Sequence, residues 1–200
     1  MTEDRIGKVR ALFSRNGAIM RTAQLREAGI CSKDIRSLME SNHILRLKDG
    51  YYAWQDLMDR LSDFQIAAAT IPNATISSLS AASVYGLTTV IPDTVHIAIP
   101  NAGREPQKPF MPPIEFTQYK PALFHLGRSA IQMESHTLPI YDRERTVCDC
   151  FKRRSEIGDD VALEVIKNYM RGKKDIQKLY TYAQKMRIQQ KLHPYVEALL

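Results

Sequence analysis

The pattern of apolar and polar residues divides the first 56 residues into three helical stretches and a hairpin. Apolar residues recur every three or four positions in each helical stretch, which is the spacing of one helix face. Thr22 and Ser32 stand where polar caps begin the second and third helices, and Gly29 stands where the second ends. The predicted helices cover residues 4–16, 22–29 and 32–41.

The hairpin is predicted from ILRLKDGYYAW, residues 44–54, in which two apolar and aromatic runs flank an Asp-Gly pair. If Asp49 and Gly50 form a two-residue turn, Lys48 faces Tyr51 and the residues further from the turn pair in step. A longer turn exchanges the roles of the two tyrosines. The predicted core face is Leu45, Leu47, Tyr52 and Trp54, and the predicted outer face is Arg46, Lys48 and Tyr51.

The order helix, helix, tight turn, helix, hairpin is that of a winged helix-turn-helix, so residues 1–56 are predicted to be a DNA-binding domain. In such a domain the third helix enters the major groove, whereas other residues meet phosphates. The residues expected to read bases are Lys33, Arg36 and Ser37, and those expected on the phosphate side are Arg21, Thr22, Ser32, Arg46, Lys48 and Tyr51.

Residues 57–200 are predicted to form a second, α+β domain. A helix ended by Pro72 precedes a Ser/Ala-rich helix closed by Gly86, and alternating segments predict strands at 94–100 and 114–119. The Pro-rich segment between these strands is predicted to be a loop, and two short strands are expected around a turn near residue 135. From Asp142 onwards only helices are predicted. The whole chain is therefore expected to be α+β, a winged helix-turn-helix followed by a mixed α/β domain with a helical C-terminal section.

The charge and cysteine content narrow the class of protein. The net charge of +6 is concentrated at the two ends of the chain, which favours a polyanionic partner. The three cysteines are too sparse for a disulfide framework, and the charged N-terminus lacks the apolar core of a signal peptide. There is no long apolar run, so we expect a cytoplasmic protein without a membrane partner.

No familiar catalytic motif occurs in the sequence. Phosphate-binding glycine loops, the His-Glu-x-x-His zinc motif and the Gly-x-Ser-x-Gly turn are all missing, and Cys148 and Cys150 have no second ligand pair. A metal-dependent nuclease would also need clustered carboxylates. We therefore expect a protein that is not an enzyme, with no metal, no cofactor and no catalytic residue.

One charged segment, YDRERTVCD at residues 141–149, suggests two interpretations. Its charges can form a hinge between sheet and helices, in which Asp142 caps a helix and Arg145 pairs with Asp149. Alternatively, they can form a surface for a partner or for RNA. The residues of this second interpretation are Arg143, Arg145, Asp149, Lys152 and Arg153.

Three segments in the same order resemble the AbiEi-type antitoxins of type IV toxin–antitoxin systems. They are LKDGYYAW, SSLSAASVYGLTTVIPDTVHIAIP, and LPIYDRERTVCDCFKRR followed by DDVALEVIKNYM, and together they span nearly the whole chain. The resemblance implies that the N-terminal domain binds duplex promoter DNA with inverted repeats and represses its own phage-defence operon. It also implies that the second domain, 57–200, opposes a nucleotidyltransferase-like toxin without necessarily forming a stable complex with it.

Two other functions are weighed against this one. The chain could be a ligand-responsive winged-helix repressor, with a small molecule bound in the second domain. It could also be a nuclease or a nucleotidyltransferase, against which the missing carboxylate–lysine cluster argues. The basic C-terminal helices could widen a DNA footprint, face RNA or keep the protein soluble.

Overall fold

The computed structural model describes residues 1–133 and 136–199 and has a mixed α+β fold, as the sequence predicts. The chain divides into two compact units: Met1–Pro72 with Glu105–Pro113, and Asn73–Arg104 with Ile114–Leu200. Among the described residues, no helix combines the length and the apolar character that a membrane crossing requires.

The first unit interleaves helices with a three-stranded antiparallel sheet in the order β1-β3-β2, which leaves β2 at one edge. The three predicted helices and the hairpin are confirmed. Strand β1 is not predicted, because three residues are too few to show an alternating pattern. The elements are α1 (Glu3–Arg15), β1 (Ile19–Arg21), α2 (Thr22–Glu27), α3 (Ser32–Glu40), β2 (Ile44–Lys48), β3 (Tyr51–Trp54), α4 (Gln55–Met58) and α5 (Asp63–Thr70).

An aromatic pair lies in the core of the first unit. The rings of Phe13 in α1 and Trp54 in β3 are 5.5 Å apart between centroids, and both side chains are buried. Leu25 of α2 and the apolar stripe of α3, formed by Ile35 and Leu38, pack into the same cluster. The helical spacing of these residues in the sequence is thus the spacing of the buried faces.

The helix predicted after the hairpin is divided into α4 and α5, with Ser62 as the N-cap of α5. The Ser62 hydroxyl oxygen accepts a hydrogen bond from the Gln65 backbone N–H at 3.3 Å. Ile66 of α5 then packs with Ile19 and Leu47. Because of this apolar contact, the first unit continues to Pro72 and differs from the predicted domain 1–56.

The Pro-rich segment 105–113 is an irregular loop, as predicted, but it belongs to the first unit. The Phe110 backbone N–H donates to the Leu47 carbonyl oxygen at 2.7 Å, at the free edge of β2. The Lys48 ammonium donates to the Gln107 carbonyl oxygen at 3.0 Å. No local sequence pattern indicates that the loop packs on β2, since these contacts join residues about 60 positions apart.

The second unit contains a sheet in the order β6-β5-β4-β8-β7 and a layer of C-terminal helices. The predicted strands are confirmed, although the turn expected between the last two includes residues 134 and 135, which lie outside the described residues. Its elements are β4 (Thr75–Ile76), α6 (Ser78–Val84), β5 (Val95–Pro100), β6 (Ile114–Tyr119), α7 (Pro121–Phe124), β7 (Arg128–Met133), β8 (His136–Tyr141), α8 (Arg143–Lys152), α9 (Arg154–Ile157), α10 (Asp159–Arg171), α11 (Ile176–Lys185) and α12 (Gln189–Glu197).

Helix α8 lies at the centre of the helical layer. Val147 and Phe151, the predicted apolar face of this helix, pack in one buried cluster with Tyr169 of α10 and Leu179 of α11. Both faces of strand β5 are also buried, although its alternation predicts only one. His96 on the polar face is buried against α6, where its backbone N–H donates to the Ser80 hydroxyl oxygen at 2.9 Å.

Candidate nucleic-acid interface

Helix α3 presents a polar face with two basic side chains. Ile35 and Leu38 are buried, so Ser32, Lys33 and Arg36 are left exposed on the other side and Ser37 is half-buried. Neither Lys33 nor Arg36 forms an ion pair with any residue that the structure describes. The three residues expected to read bases therefore share one short helix, and two of them carry uncompensated charge.

The beginning of α3 differs from the prediction, because Ser32 is the first residue of the helix and Cys31 is its N-cap. The Asp34 carboxylate accepts from the Cys31 thiol at 3.2 Å and from its backbone N–H at 3.1 Å. These hydrogen bonds, with a further contribution from Arg5, hold the pKa of Asp34 below its usual value. Asp34 also pairs with Arg5 at 2.7 Å, so its charge is compensated while those of Lys33 and Arg36 are not.

The prediction that Thr22 caps α2 is also wrong. The residue before the helix is Arg21, whose backbone N–H donates to the Gln24 side-chain oxygen at 2.8 Å. The Thr22 backbone N–H instead donates to the Gly50 carbonyl oxygen at 2.9 Å. This bond holds the start of α2 against the turn of the hairpin.

The hairpin keeps only one pair of the predicted register. Lys48 faces Tyr51 as expected, but the register shifts between Arg46 and Lys48, where Leu47 is an extra residue. Arg46 therefore faces Tyr52, and Leu45 faces Ala53. A β-bulge of this kind changes the side of the sheet on which the preceding residues lie. As a result Leu45, predicted in the core, is 44% exposed.

Lys48 and Tyr51 do not lie on an open outer face. The Lys48 side chain is covered by loop 105–113 and the residue is 5% exposed, while Tyr51 is half-buried. The Lys48 ammonium nitrogen is 4.6 Å from the centroid of the Tyr51 ring, and the Arg21 guanidinium carbon is 5.2 Å from it. We call Arg21, Lys48 and Tyr51 the basic cluster.

The basic cluster holds two positive charges side by side. Burial lowers the pKa of Lys48, and repulsion from Arg21 lowers it further. Within the described chain, neither cation forms an ion pair with a carboxylate. Lys48 is covered, so the exposed Arg21 is the member of this pair that an anion such as a DNA phosphate can contact.

Arg46 is exposed and forms an ion pair with Asp49 at the turn. Exposed ion pairs of this type contribute roughly 0–1 kcal/mol, so a phosphate can displace the carboxylate at small cost. Arg46 thus remains available to a polyanion, although it is not unpaired in the free protein.

The predicted partner surface of the second unit is reduced by two residues. Arg145 and Asp149 are fully buried and pair with each other, and the Tyr119 hydroxyl of β6 donates to the Asp149 carboxylate, so neither residue can contact a partner. Asp142 caps α8 as predicted, its carboxylate accepting from the Arg145 backbone N–H at 2.9 Å. The segment therefore supports the hinge interpretation at these three positions.

The other three residues of that surface remain accessible to different degrees. Arg143 is half-buried against the Tyr85 ring, and its guanidinium donates to the Tyr85 carbonyl oxygen at 3.4 Å. Lys152 is exposed, whereas Arg153 is held by ion pairs with Glu115 and Glu156. Of the five predicted residues, only Lys152 is both exposed and without a described ion pair.

A cleft of about 560 Å³ lies beside these residues in the second unit. Strand β6 forms one wall, and the end of α8 forms the other. Its charged lining is mixed, because acidic and basic side chains both reach it. These residues are Glu115, Lys120, Lys152, Arg153 and Glu156.

The sequence pattern does not predict the contribution of loop 105–113, which covers Lys48 and extends the edge of the hairpin. The one indication of this role in the sequence is composition, since Phe110 and Met111 stand between prolines in an otherwise polar loop.

Among the described residues there is no group of three or more His, Cys, Asp or Glu side chains that could hold a metal ion. Comparison with protein-family models and with curated protein sequences gives no match.

Proposed function

We propose that the first unit is a winged helix-turn-helix that binds duplex DNA, and that the chain represses its own promoter. The observation that carries this proposal is the polar face of α3, where Lys33 and Arg36 are exposed and uncompensated. The order of helices and strands in this unit and the unpaired charges of the basic cluster support it. A recognition helix reads bases through side chains of this kind near its N-terminus.

A titration of the full chain against duplex DNA from immediately upstream of its own gene tests the proposal. Arg36→Ala should weaken binding about tenfold or more, because a good side-chain contact to a base gives about 1–3 kcal/mol of discrimination. It should also reduce the preference over scrambled DNA. Arg15→Ala, which removes an exposed charge at the end of α1, should leave this preference unchanged.

Equal affinity of the wild type for upstream and scrambled DNA would contradict the proposal that this chain is a promoter-specific repressor. Unchanged affinity of Arg36→Ala would contradict the assignment of α3 as the reading helix. Both titrations need one fixed salt concentration, because phosphate contacts make the affinity strongly salt-dependent.

We further propose that the second unit carries an antitoxin activity against a nucleotidyltransferase-like toxin, an activity that need not require a stable complex. The resemblance of its segments to AbiEi-type antitoxins supports this half of the function. If the neighbouring gene encodes a nucleotidyltransferase-like toxin, coexpression of this chain should restore the growth of cells that express that toxin. Rescue by the Arg36→Ala variant would separate antitoxin activity from promoter binding. Failure of the wild type to rescue growth would contradict the proposed antitoxin activity.

The cleft beside Lys152 and Arg153 favours a second candidate function, a repressor that responds to a small ligand. Its volume falls within the range of small-molecule sites, about 300–1,000 Å³. A metabolite that raises the melting temperature of the wild type but not of a Lys152→Glu variant, and that also releases DNA, would support this candidate. If ligands that bind the cleft do not release DNA, this second candidate function is contradicted.

A further inference from the structure

Loop 105–113 presents two large apolar side chains to solvent. Phe110 is 72% exposed and Met111 is 61% exposed, whereas the prolines on either side, Pro109 and Pro112, are buried. The loop therefore fixes its ends in the first unit and turns its apolar centre outwards. Single exposed apolar side chains are ordinary on protein surfaces, whereas adjacent large ones such as these two point to an interaction site.

The loop is attached to the edge of the hairpin near its turn. The Phe110 backbone N–H donates to the carbonyl oxygen of Leu47, three residues before Gly50. A second bond, from the Lys48 ammonium to the Gln107 carbonyl oxygen, fixes the loop on the same strand. Leu45, which the β-bulge leaves exposed, lies on this edge strand as well.

The charges of this region favour a polyanion over a protein as the occupant. Arg46 of β2 is exposed and forms a surface ion pair with Asp49, and the buried Lys48 adds a second positive charge on this strand. The exposed Arg21 of β1 has no carboxylate partner among the described residues. The three exposed apolar side chains present roughly 300 Å² together. A stable protein interface buries about 800 Å² on each partner, of which more than half is apolar, so this patch is smaller than the apolar part of such an interface.

We propose that loop 105–113 is a second DNA-contacting element of the first unit, in which Phe110 and Met111 insert into the minor groove beside the hairpin. Apolar wedges of this kind, formed by Phe, Met and Pro among other residues, enter between base steps in the minor groove. The bonds to β2 hold the wedge in place before DNA arrives, so less ordering entropy is lost on binding. The proposal rests on the proposed DNA-binding function of this unit.

The first test compares the affinity of three full-length proteins for the same upstream duplex. Phe110→Ala should bind about tenfold more weakly than the wild type, because the buried area of one aromatic ring is lost. Ile91→Ala is the matched control, since Ile91 is an exposed apolar residue of the second unit, at 87%. It should bind like the wild type. Melting curves of both variants check that the fold is retained.

The second test places a fluorescent ring in the loop. Trp54 is the natural tryptophan and is buried, so a Phe110→Trp variant adds an exposed reporter. DNA should quench this reporter if it stacks on bases, and an Ile91→Trp variant should show no such quenching. A minor-groove-binding drug should compete with the quenching.

The outcomes separate this proposal from the function on which it rests. If the wild type does not bind upstream DNA specifically, both are overturned. If the wild type binds while Phe110→Ala keeps its affinity and Phe110→Trp is not quenched, only the wedge is overturned. If Phe110→Ala instead converts an oligomer to monomers in sedimentation, the loop contacts a second copy of the chain, and the wedge is again overturned.

Discussion

The Arg145 guanidinium lies 3.0 Å from the Asp149 carboxylate, and both side chains are fully buried one helical turn apart in α8. Burial lowers the pKa of Arg145, but the neighbouring Asp149 and two tyrosines outweigh this effect and hold it above its ordinary value. The same guanidinium donates to the carbonyl oxygens of Leu123 and Leu126 at 2.6 and 2.8 Å. Arg145 thus joins α8 to the segment that follows strand β6.

We predict that Arg145→Met strongly destabilises the protein, because it leaves the Asp149 charge buried without its partner. The expected loss is about 3–5 kcal/mol of unfolding free energy, measured by urea denaturation. Asp159→Asn, which removes the exposed partner of Arg154, should cost no more than about 1 kcal/mol. The double variant Arg145→Met with Asp149→Leu should recover part of the loss, since it removes both charges. An Arg145→Met protein as stable as the wild type would contradict this role.

A second prediction concerns Glu164, which holds the turn after α6. Its carboxylate accepts from the Thr88 hydroxyl at 2.7 Å and from the hydroxyl and backbone N–H of Thr89, both at 3.0 Å. Lys167 lies one helical turn further along α10 and forms no ion pair with Glu164 in the described chain. Glu164→Ala should therefore cost about 1–2 kcal/mol of unfolding free energy. Lys167→Ala should change the unfolding free energy by less than about 0.5 kcal/mol. Equal losses in the two variants would contradict the conclusion that Glu164 acts through Thr88 and Thr89 alone.

The sequence predicted the elements of the fold better than their boundaries and partners. Helical spacing found α3, and alternation found β5, because both patterns are local. The division between the units depends on Ile66 packing with Ile19, which no local pattern records. For the same reason the sequence indicated the pairing of Arg145 with Asp149 but left open whether the pair was buried.

The hairpin shows how one residue changes a predicted site. The Asp-Gly turn and the pairing of Lys48 with Tyr51 were predicted correctly, but a β-bulge at Leu47 has no sequence signature of its own. The bulge exposes Leu45, and loop 105–113 covers Lys48. The basic residues of the hairpin could therefore be found from the sequence, whereas their exposure could not.

A third prediction concerns the response to acid at His96. Burial lowers the pKa of this imidazole, and nearby Glu115 offsets the effect only in part. Because the folded pKa lies below the unfolded value of about 6.5, the folded state resists protonation. Its contribution to stability is complete above that pH and is lost as the pH falls below it.

The experiment for His96 measures urea unfolding midpoints on both sides of about pH 6.5. The wild type should lose stability on the acid side, and His96→Gln should show a smaller loss. Ser80→Ala removes the hydroxyl 3.3 Å from the His96 ring but keeps the imidazole, so it should retain the wild-type slope. An identical acid slope in the wild type and His96→Gln would show that other groups are responsible.

The last prediction separates stability from function at the basic cluster. Lys48 is buried with its ammonium donating to one carbonyl, and Arg21 lies across the same tyrosine ring. Lys48→Met keeps the apolar part of the side chain and removes the charge, so the unfolding free energy should be unchanged or should rise by about 1 kcal/mol. The affinity for upstream DNA should fall, with a shallower dependence on salt, because the variant removes a positive charge beside the exposed Arg21 and so weakens the attraction for phosphates. Arg15→Ala, at the exposed end of α1, serves as the charge-matched control and should keep the salt dependence. If Lys48→Met is less stable than the wild type and binds DNA with the same affinity, Lys48 contributes to stability and not to DNA binding.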